Sequence, residues 1–423
     1  MNIGYLIVKS VNKIRNRNTE GKNMGRLEYL IQNIETALYT FFNKRDKKTV
    51  IVGAWMGTKF ADNSRFLFQY LHNYKKQLGL NDIVWATRNP EVKVELNKMG
   101  YEACVIGTEE SKKWHLKAGI HVICNMAYDQ VKFKADIDTK YSCGAKKIQL
   151  WHGVGFKAVG AASNDAKKIG HKNGFFHGSK FASLLSQGCW NESYVLCTSV
   201  YDVWINQTCM NRSDSRFFVS CYPRNCQCLK YLDNETEVLK KIVKFGVTLL
   251  YLPTFRSEYT NYTHPLSDIR FVQYLKDNNI LWIEKPHSAS DFDYSNIDGE
   301  DNILLLGADF DVNVLYNNIS CLISDYSSAI LDTIYRNIPT IMYIPDVDIF
   351  KNADVGFLMD IEDYFDGLIS KDISTCIELI EDVIHERFFI DKRKRVFSKA
   401  NEKFYDNIES RYNDVWQSIL ELD

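Results

Sequence analysis

From Thr49 onward, short runs of β-branched and other apolar residues alternate with longer polar stretches of helical character. The run at 49–55 (TVIVGAW) is followed by a helix-like stretch at 63–80, and further apolar runs start at Asp82, Tyr101, Gly119, Lys146 and Ser193. A second series starts at Val247, Ile280, Asn302, Ser320 and Pro339. Apolar strands of this length separated by helices predict parallel sheets covered on both faces, because crossover helices bury both sides of each strand. Two series predict an α/β protein of two Rossmann-like domains, with the join near residues 226–245. The expected division is a basic, partly amphipathic segment at 1–48, domains at 49–235 and 236–400, and a helical segment at 401–423.

The first 48 residues break the alternation. Leu27, Leu30, Ile31, Ile34, Leu38 and Phe41 recur at helical spacing, so one apolar stripe is expected. That stripe either packs on the domain behind it or lies on anionic lipid, since the segment carries ten Lys/Arg against four Asp/Glu. Packing is the favoured expectation, because Glu28 and Glu35 share the polar face.

Composition narrows the class. With 45% hydrophobic and 25% charged residues the chain reads as globular, and its 423 residues exceed one ordinary core. A formal charge of −1 gives no overall argument for nucleic acid. No apolar run approaches the ~20 residues of a membrane-spanning helix, and the N-terminus lacks the layout of a signal peptide. Eleven scattered cysteines suit a reducing cytosol, and the group Cys221, Cys226 and Cys228 lacks a second half for a zinc site, so no metal is expected. The expected location is cytoplasmic, with the inner face of the plasma membrane as a candidate docking surface for 1–48.

In sheets of this kind ligands bind beyond the carboxyl ends of the strands. Five unusual groups lie there. Trp151-His152-Gly153 follows the run at 146–150, and a neutral imidazole at a cleft can take a proton near pH 7, with Lys157 close by. Pro223-Arg224-Asn225 offers a turn with an arginine that is either a phosphate clamp or a surface residue. Thr254 and Arg256 follow the run at 247–252, and Lys285-Pro286-His287 follows that at 280–284, placing cations for an anionic ligand. Asp325 then leads to Ser327 and Ser328, which open a helix of about nine residues; serines there either cap the helix or donate to phosphate. The combination suits a diphosphate.

The ordered set Trp-His-Gly, Pro-Arg-Asn, Pro-Thr-Phe-Arg, Lys-Pro-His and Ser-Asp-Tyr-Ser-Ser, with the block VGAWMGTKFADNSRFLFQYL, resembles the CDP-glycerol glycerophosphotransferase family, the teichoic acid primases and polymerases. The resemblance covers about 49–400 and implies a GT-B architecture, two Rossmann-like domains facing each other across a cleft. It implies transfer of a polyol phosphate from CDP-glycerol or another CDP-polyol to a hydroxyl of a lipid-linked or surface-glycan acceptor, releasing CMP, with no bound cofactor. In that reading His152 is the base, and His287, Lys285 and Arg256 stabilise the transferred group. Ser327 and Ser328 hold the donor phosphates, supported by Thr254 and Asp325. Gly153, Lys157, Arg224 and Asn225 are further cleft candidates. The chain departs from the family pattern at Val154-Gly155-Phe156, at Cys226 and at Ser288, which bears on acceptor and polyol choice. Two other classes fit similar strand ends: a GT-B glycosyltransferase using a nucleotide sugar, and a module that binds nucleotide or polymer without turnover.

Overall fold

The computed structural model describes residues 26–125, 134–159, 162, 188–210, 216–254, 262–286, 292–295, 300–351 and 356–423. Among the described residues thirteen strands form two all-parallel sheets. The first contains β1 Asp46–Val52, β2 Asp82–Thr87, β3 Glu102–Val105, β4 Ala118–Ile123, β5 Lys146–Gln149, β6 Tyr194–Cys197 and β7 Phe217–Val219, in the order 3-2-1-4-5-6-7. The second contains β8 Val247–Leu252, β9 Ile280–Glu284, β10 Ile303–Leu305, β11 Cys321–Ser324, β12 Thr340–Tyr343 and β13 Ile369–Ser370, in the order 10-9-8-11-12-13. The central strands are buried from end to end, as β4 and β9 show, which explains why they read as unbroken apolar runs. Each order reverses beside its first strand, next to β1 and next to β8. This is the two-domain GT-B architecture expected from the sequence.

Three helices bear on the site: α1 Arg26–Phe42, α2 Asp62–Asn73 and α3 Ala329–Tyr335. The serine-led helix α3 has seven residues, shorter than its sequence suggests. Helix α2 is enclosed from Asp62 to Leu71, polar residues included, because it lies against the second domain. There Arg65, fully buried, pairs with Glu235 at 2.5 Å and faces Asp311 at 3.6 Å, so its charge is compensated where water is excluded. The helices Asp391–Tyr405 and Tyr412–Glu421 carry the chain back to the first domain. Thr198 donates to the Phe404 carbonyl at 2.7 Å, and Tyr412 stacks on Tyr70 with centroids 5.0 Å apart.

Helix α1 corrects one expectation. Its inward residues are Tyr29, Asn33 and Thr36, while Ile34, Leu38, Phe41 and Phe42 face outward. The polar face can be buried because it is matched across the contact. Tyr29 donates to Thr139 Oγ1 at 3.1 Å, Thr36 to the Lys140 carbonyl at 3.0 Å, and Asn33 Oδ1 accepts the Cys189 N–H at 3.1 Å. Beyond the helix, Arg45 donates to five carbonyls of the facing loops, those of His115, Leu116, Ala118, Tyr141 and Cys143. Satisfied hydrogen bonds of this kind remove the desolvation penalty that normally keeps such residues outside.

Candidate active site

The chain leaves β5 at Gln149, and Leu150 N–H still bonds to the Ile123 carbonyl at 2.8 Å. Trp151 then adopts φ +58, a left-handed conformation that is strained for a bulky side chain. Asn63 at the start of α2 holds this turn, its Nδ2 donating to the Trp151 carbonyl at 2.9 Å. The turn aims His152 at the end of β4, where Nδ1 lies 3.1 Å from the Cys124 carbonyl oxygen. A carbonyl can only accept, so Nδ1 carries the proton and Nε2 keeps its lone pair. The half-buried ring lies against Trp151 (centroids 4.4 Å apart) and Trp55 (5.5 Å). Burial pushes the imidazole down to about 4; the Cys124 hydrogen bond opposes this, and the Arg224 and Lys157 charges add to it. At neutral pH His152 is an unprotonated base of defined tautomer.

Gly153 brings the two domains together. A Cβ at that position would lie 2.9 Å from Ser328 Cβ, closer still to its Oγ, and 3.3 Å from Arg224 Nη2. The base therefore sits one residue from the serine turn of the second domain. Residues 156–158 continue this contact as a short antiparallel pairing: Leu358 N–H bonds to the Phe156 carbonyl at 2.9 Å and Ala158 N–H to the Gly356 carbonyl at 3.1 Å, with Lys157 opposite Phe357. The stretch that departs from the family pattern thus forms part of the domain junction.

Arg224 is neither a surface residue nor open to a ligand. It is 3% exposed, and its terminal nitrogens bond to Asp62 at 2.9 Å, Asp332 at 2.7 Å and the His152 carbonyl at 2.7 Å. It clamps the base loop of the first domain to α3 of the second. Breaking such a buried pair by removing one partner costs about 3–5 kcal/mol. Beside it, the amide oxygen and nitrogen of Asn225 are enclosed and have no hydrogen-bond partner among the described residues.

On the second domain, Asp325 at the end of β11 is fully buried and accepts the Thr254 N–H with both oxygens at 2.9 Å. It also accepts the Tyr326 N–H. Asp325 and the Thr254 backbone therefore tie the ends of β8 and β11 together below Ser327 and Ser328. Ser327 Oγ accepts the Ala329 N–H at 3.3 Å, and both serines are half-buried at the turn into α3. Lys285 donates to the Phe310 carbonyl at 2.7 Å, and burial, then the neighbouring Lys59 charge, pushes its ammonium down to about 8. Arg256 and His287 lie outside the described residues. Among the described residues no group of three His, Cys, Asp or Glu side chains could hold a metal ion.

Residues 36–417 match the model of the family described as CDP-glycerol:poly(glycerophosphate) glycerophosphotransferase. The chain belongs to that family. Among curated relatives it is 23% identical over 398 residues to a teichoic acid glycerol-phosphate transferase of Staphylococcus aureus, covering 88% of this chain and 92% of the relative. It is 23% identical over 348 residues to a teichoic acid poly(glycerol phosphate) polymerase of Bacillus spizizenii, covering 79% and 84%. The fold is similar to the structure of the wall teichoic acid polymerase TagF, at a TM-score of 0.68 and 16% identity over 99% of this chain and 97% of that one. A substituted form of that polymerase soaked with CDPG superposes at 0.62, with 17% identity and 92% of each chain covered.

The facing strand ends of this glycerophosphotransferase carry a neutral imidazole on one side and a serine turn with a partly buried lysine on the other. Four residues around them carried no individual sequence signal. Lys59 donates to the Ala308 carbonyl at 2.7 Å, across the cleft from its own domain. Asp332 and Asp62 take the Arg224 clamp, and Asp136 holds the loops behind His152. Lys59 and Asp62 do fall in the block at 52–71 that resembles the family, which was the one available pointer to them.

Proposed function

We propose that this glycerophosphotransferase uses His152 Nε2 to take the proton from an acceptor hydroxyl as that oxygen attacks the β-phosphorus of CDP-glycerol. The new O–P bond forms as the pyrophosphate bond breaks, and CMP leaves with the bridging oxygen and its electron pair. The observation that carries this reading is the His152 imidazole, held neutral with Nδ1 occupied, one residue from the Ser327–Ser328 turn. A placed base contributes about 10²–10⁴ in rate. Charge on the transferred group would be balanced by Lys285, by Ser327 and Ser328 hydroxyls and by Arg256 and His287, with no bound cofactor required. Thr254 and Asp325 act beneath them as supports. The acceptor in this reading is a lipid-linked, teichoic-acid-like polymer.

The test is CMP release from CDP-glycerol and CDP-ribitol, and UDP release from UDP-sugars, each with a lipid-linked glycerol phosphate acceptor. CMP release with CDP-glycerol, accompanied by acceptor growth of one glycerol phosphate unit, is the expected result. UDP release alone would make the chain a glycosyltransferase, and no release from any donor would make it a binding module.

A lipid-linked acceptor places the enzyme at a membrane surface, and α1 supports that location. Phe41 and Phe42 are 78% and 79% exposed, in line with Ile34 and Leu38 and next to Lys44, Lys47 and Lys48. Among the described residues no helix is long and apolar enough to cross a membrane, so docking would be peripheral. The double change Phe41→Ser and Phe42→Ser should lower co-sedimentation with phosphatidylglycerol vesicles about tenfold and leave thermal stability unchanged. Equal sedimentation of both proteins would exclude α1 as the docking face.

A further inference from the structure

We infer that Asp136, which the sequence does not single out, is a positioning residue that fixes the direction of the His152 imidazole through two separate supports. The inference rests on the reading of His152 as the base. Asp136 is fully buried and its carboxylate accepts three backbone N–H groups: Met56 at 2.7 Å on Oδ1, and Cys124 at 3.0 Å and Asn125 at 2.7 Å on Oδ2.

The Asn125 bond is the first support. The N–H of Asn125 and the C=O of Cys124 belong to one planar peptide unit and point in opposite directions. Fixing the N–H on Asp136 therefore fixes the carbonyl that receives the His152 Nδ1 proton at 3.1 Å. The negative charge also polarises this peptide, which strengthens its carbonyl as an acceptor. Both effects favour the tautomer with the proton on Nδ1 and the lone pair on Nε2.

The Met56 bond is the second. Trp55 and Met56 both have positive φ, +45 and +56, and such residues persist only where their surroundings hold them. Asp136 holds this turn by the Met56 N–H, and the turn presents the Trp55 ring 5.5 Å from the imidazole. The carboxylate is itself fixed from behind. Asp138 N–H donates to His115 Nε2 at 2.9 Å and Arg88 donates to the Ala135 carbonyl at 3.1 Å. A Cβ at Gly53 would come within 2.9 Å of the Asp136 carbonyl carbon, so the strand end and this segment are in direct contact.

A carboxylate that merely knitted three loops together would leave the tautomer and the reaction unchanged when replaced by its amide in a folded protein. The test is therefore Asp136→Asn in the full chain labelled with [15N]histidine. In the unmodified protein the His152 shifts should report a proton on Nδ1. In the folded variant a population with the proton on Nε2 should appear, with kcat lowered about 10- to 100-fold and KM for CDP-glycerol within about twofold. An unchanged tautomer together with unchanged kcat would overturn the inference. Should the variant not fold, the unmodified protein decides. Slow amide exchange at Met56, Cys124 and Asn125 with the Nδ1–H tautomer is required, and fast exchange or the Nε2–H tautomer overturns it. The two readings separate in the data, because transfer surviving in His152→Ala would remove the base while the tautomer shift in Asp136→Asn would still establish the positioning.

Discussion

The two rims of the cleft are built on different principles. On the His152 rim Trp55, Met56, Asp62 and Trp151 all hold positive φ, and burial pushes the carboxyls of Asp62 and Asp136 up to about 6. On the opposite rim no described residue at 253–254, 285–286 or 325–328 does so; the described positive-φ side chains of the second domain, such as Asn279 and Asn337, lie where helices end. Each strained residue costs about 1–3 kcal/mol. In the proposed mechanism the difference follows from the task of each rim. A base works only if one lone pair points along one direction, and a direction must be imposed by surrounding structure. A phosphate is recognised by N–H groups, hydroxyls and cations, which an unstrained strand–turn–helix presents without distortion.

His152→Ala breaks the comparison most directly. It should lower transfer about 10²–10⁴-fold, while CDP-glycerol affinity, read by calorimetry, stays within about threefold. Equal loss of binding and turnover would mean that the rims do not have separate tasks. Gly153→Ala comes next, since it forces the rims apart. The added methyl meets Ser328, and a decrease in kcat of about 10–100-fold with about 1–3 kcal/mol of destabilisation is expected. Gly155→Ala is the control, because a Cβ there meets nothing within 4 Å. Similar losses in both variants, measured by kinetics and thermal unfolding, would remove the steric explanation.

The contrast also shows what could be read from sequence. The placement of Thr254, Lys285, Asp325, Ser327 and Ser328 was legible because it follows from local pattern: each lies within four residues of the end of an apolar run. The position of His152, three residues beyond β5, was legible for the same reason. What holds it was not, because its supports are assembled from distant segments: Arg224 meets Asp332 across 108 residues, and Met56 meets Asp136 across 80. No periodicity marks a tryptophan for a left-handed turn, since the bonds that hold this turn come from Asn63, on the Trp151 carbonyl, and Arg224, on the His152 carbonyl. Helix α1 failed for a related reason. Its apolar stripe is real, but which face turns inward was decided by hydrogen-bond partners such as Thr139, 110 residues from Tyr29.

The smallest effect, and the finest division of the rims, is in pH. In the proposed mechanism His152 acts unprotonated, and with its imidazole pushed down to about 4 the acid limb of kcat/KM should fall near pH 4 instead of near 6.5. In the same mechanism Lys285 attracts phosphate as an ammonium, and with that group pushed down to about 8 the alkaline limb should begin near pH 8. Between them the Asp136 carboxyl, pushed up to about 6, should add a shallower step as it takes a proton, and beyond the outer limits the rate should change about tenfold per pH unit at most. Lys285→Arg separates the limbs. A guanidinium stays charged throughout this range, so the alkaline limb should move out of it while the acid limb stays where it was. Were both limbs to move together, the base and the cation would be one coupled system. A fixed acid limb would show that the strained rim sets its own protonation without reference to the rim that faces it.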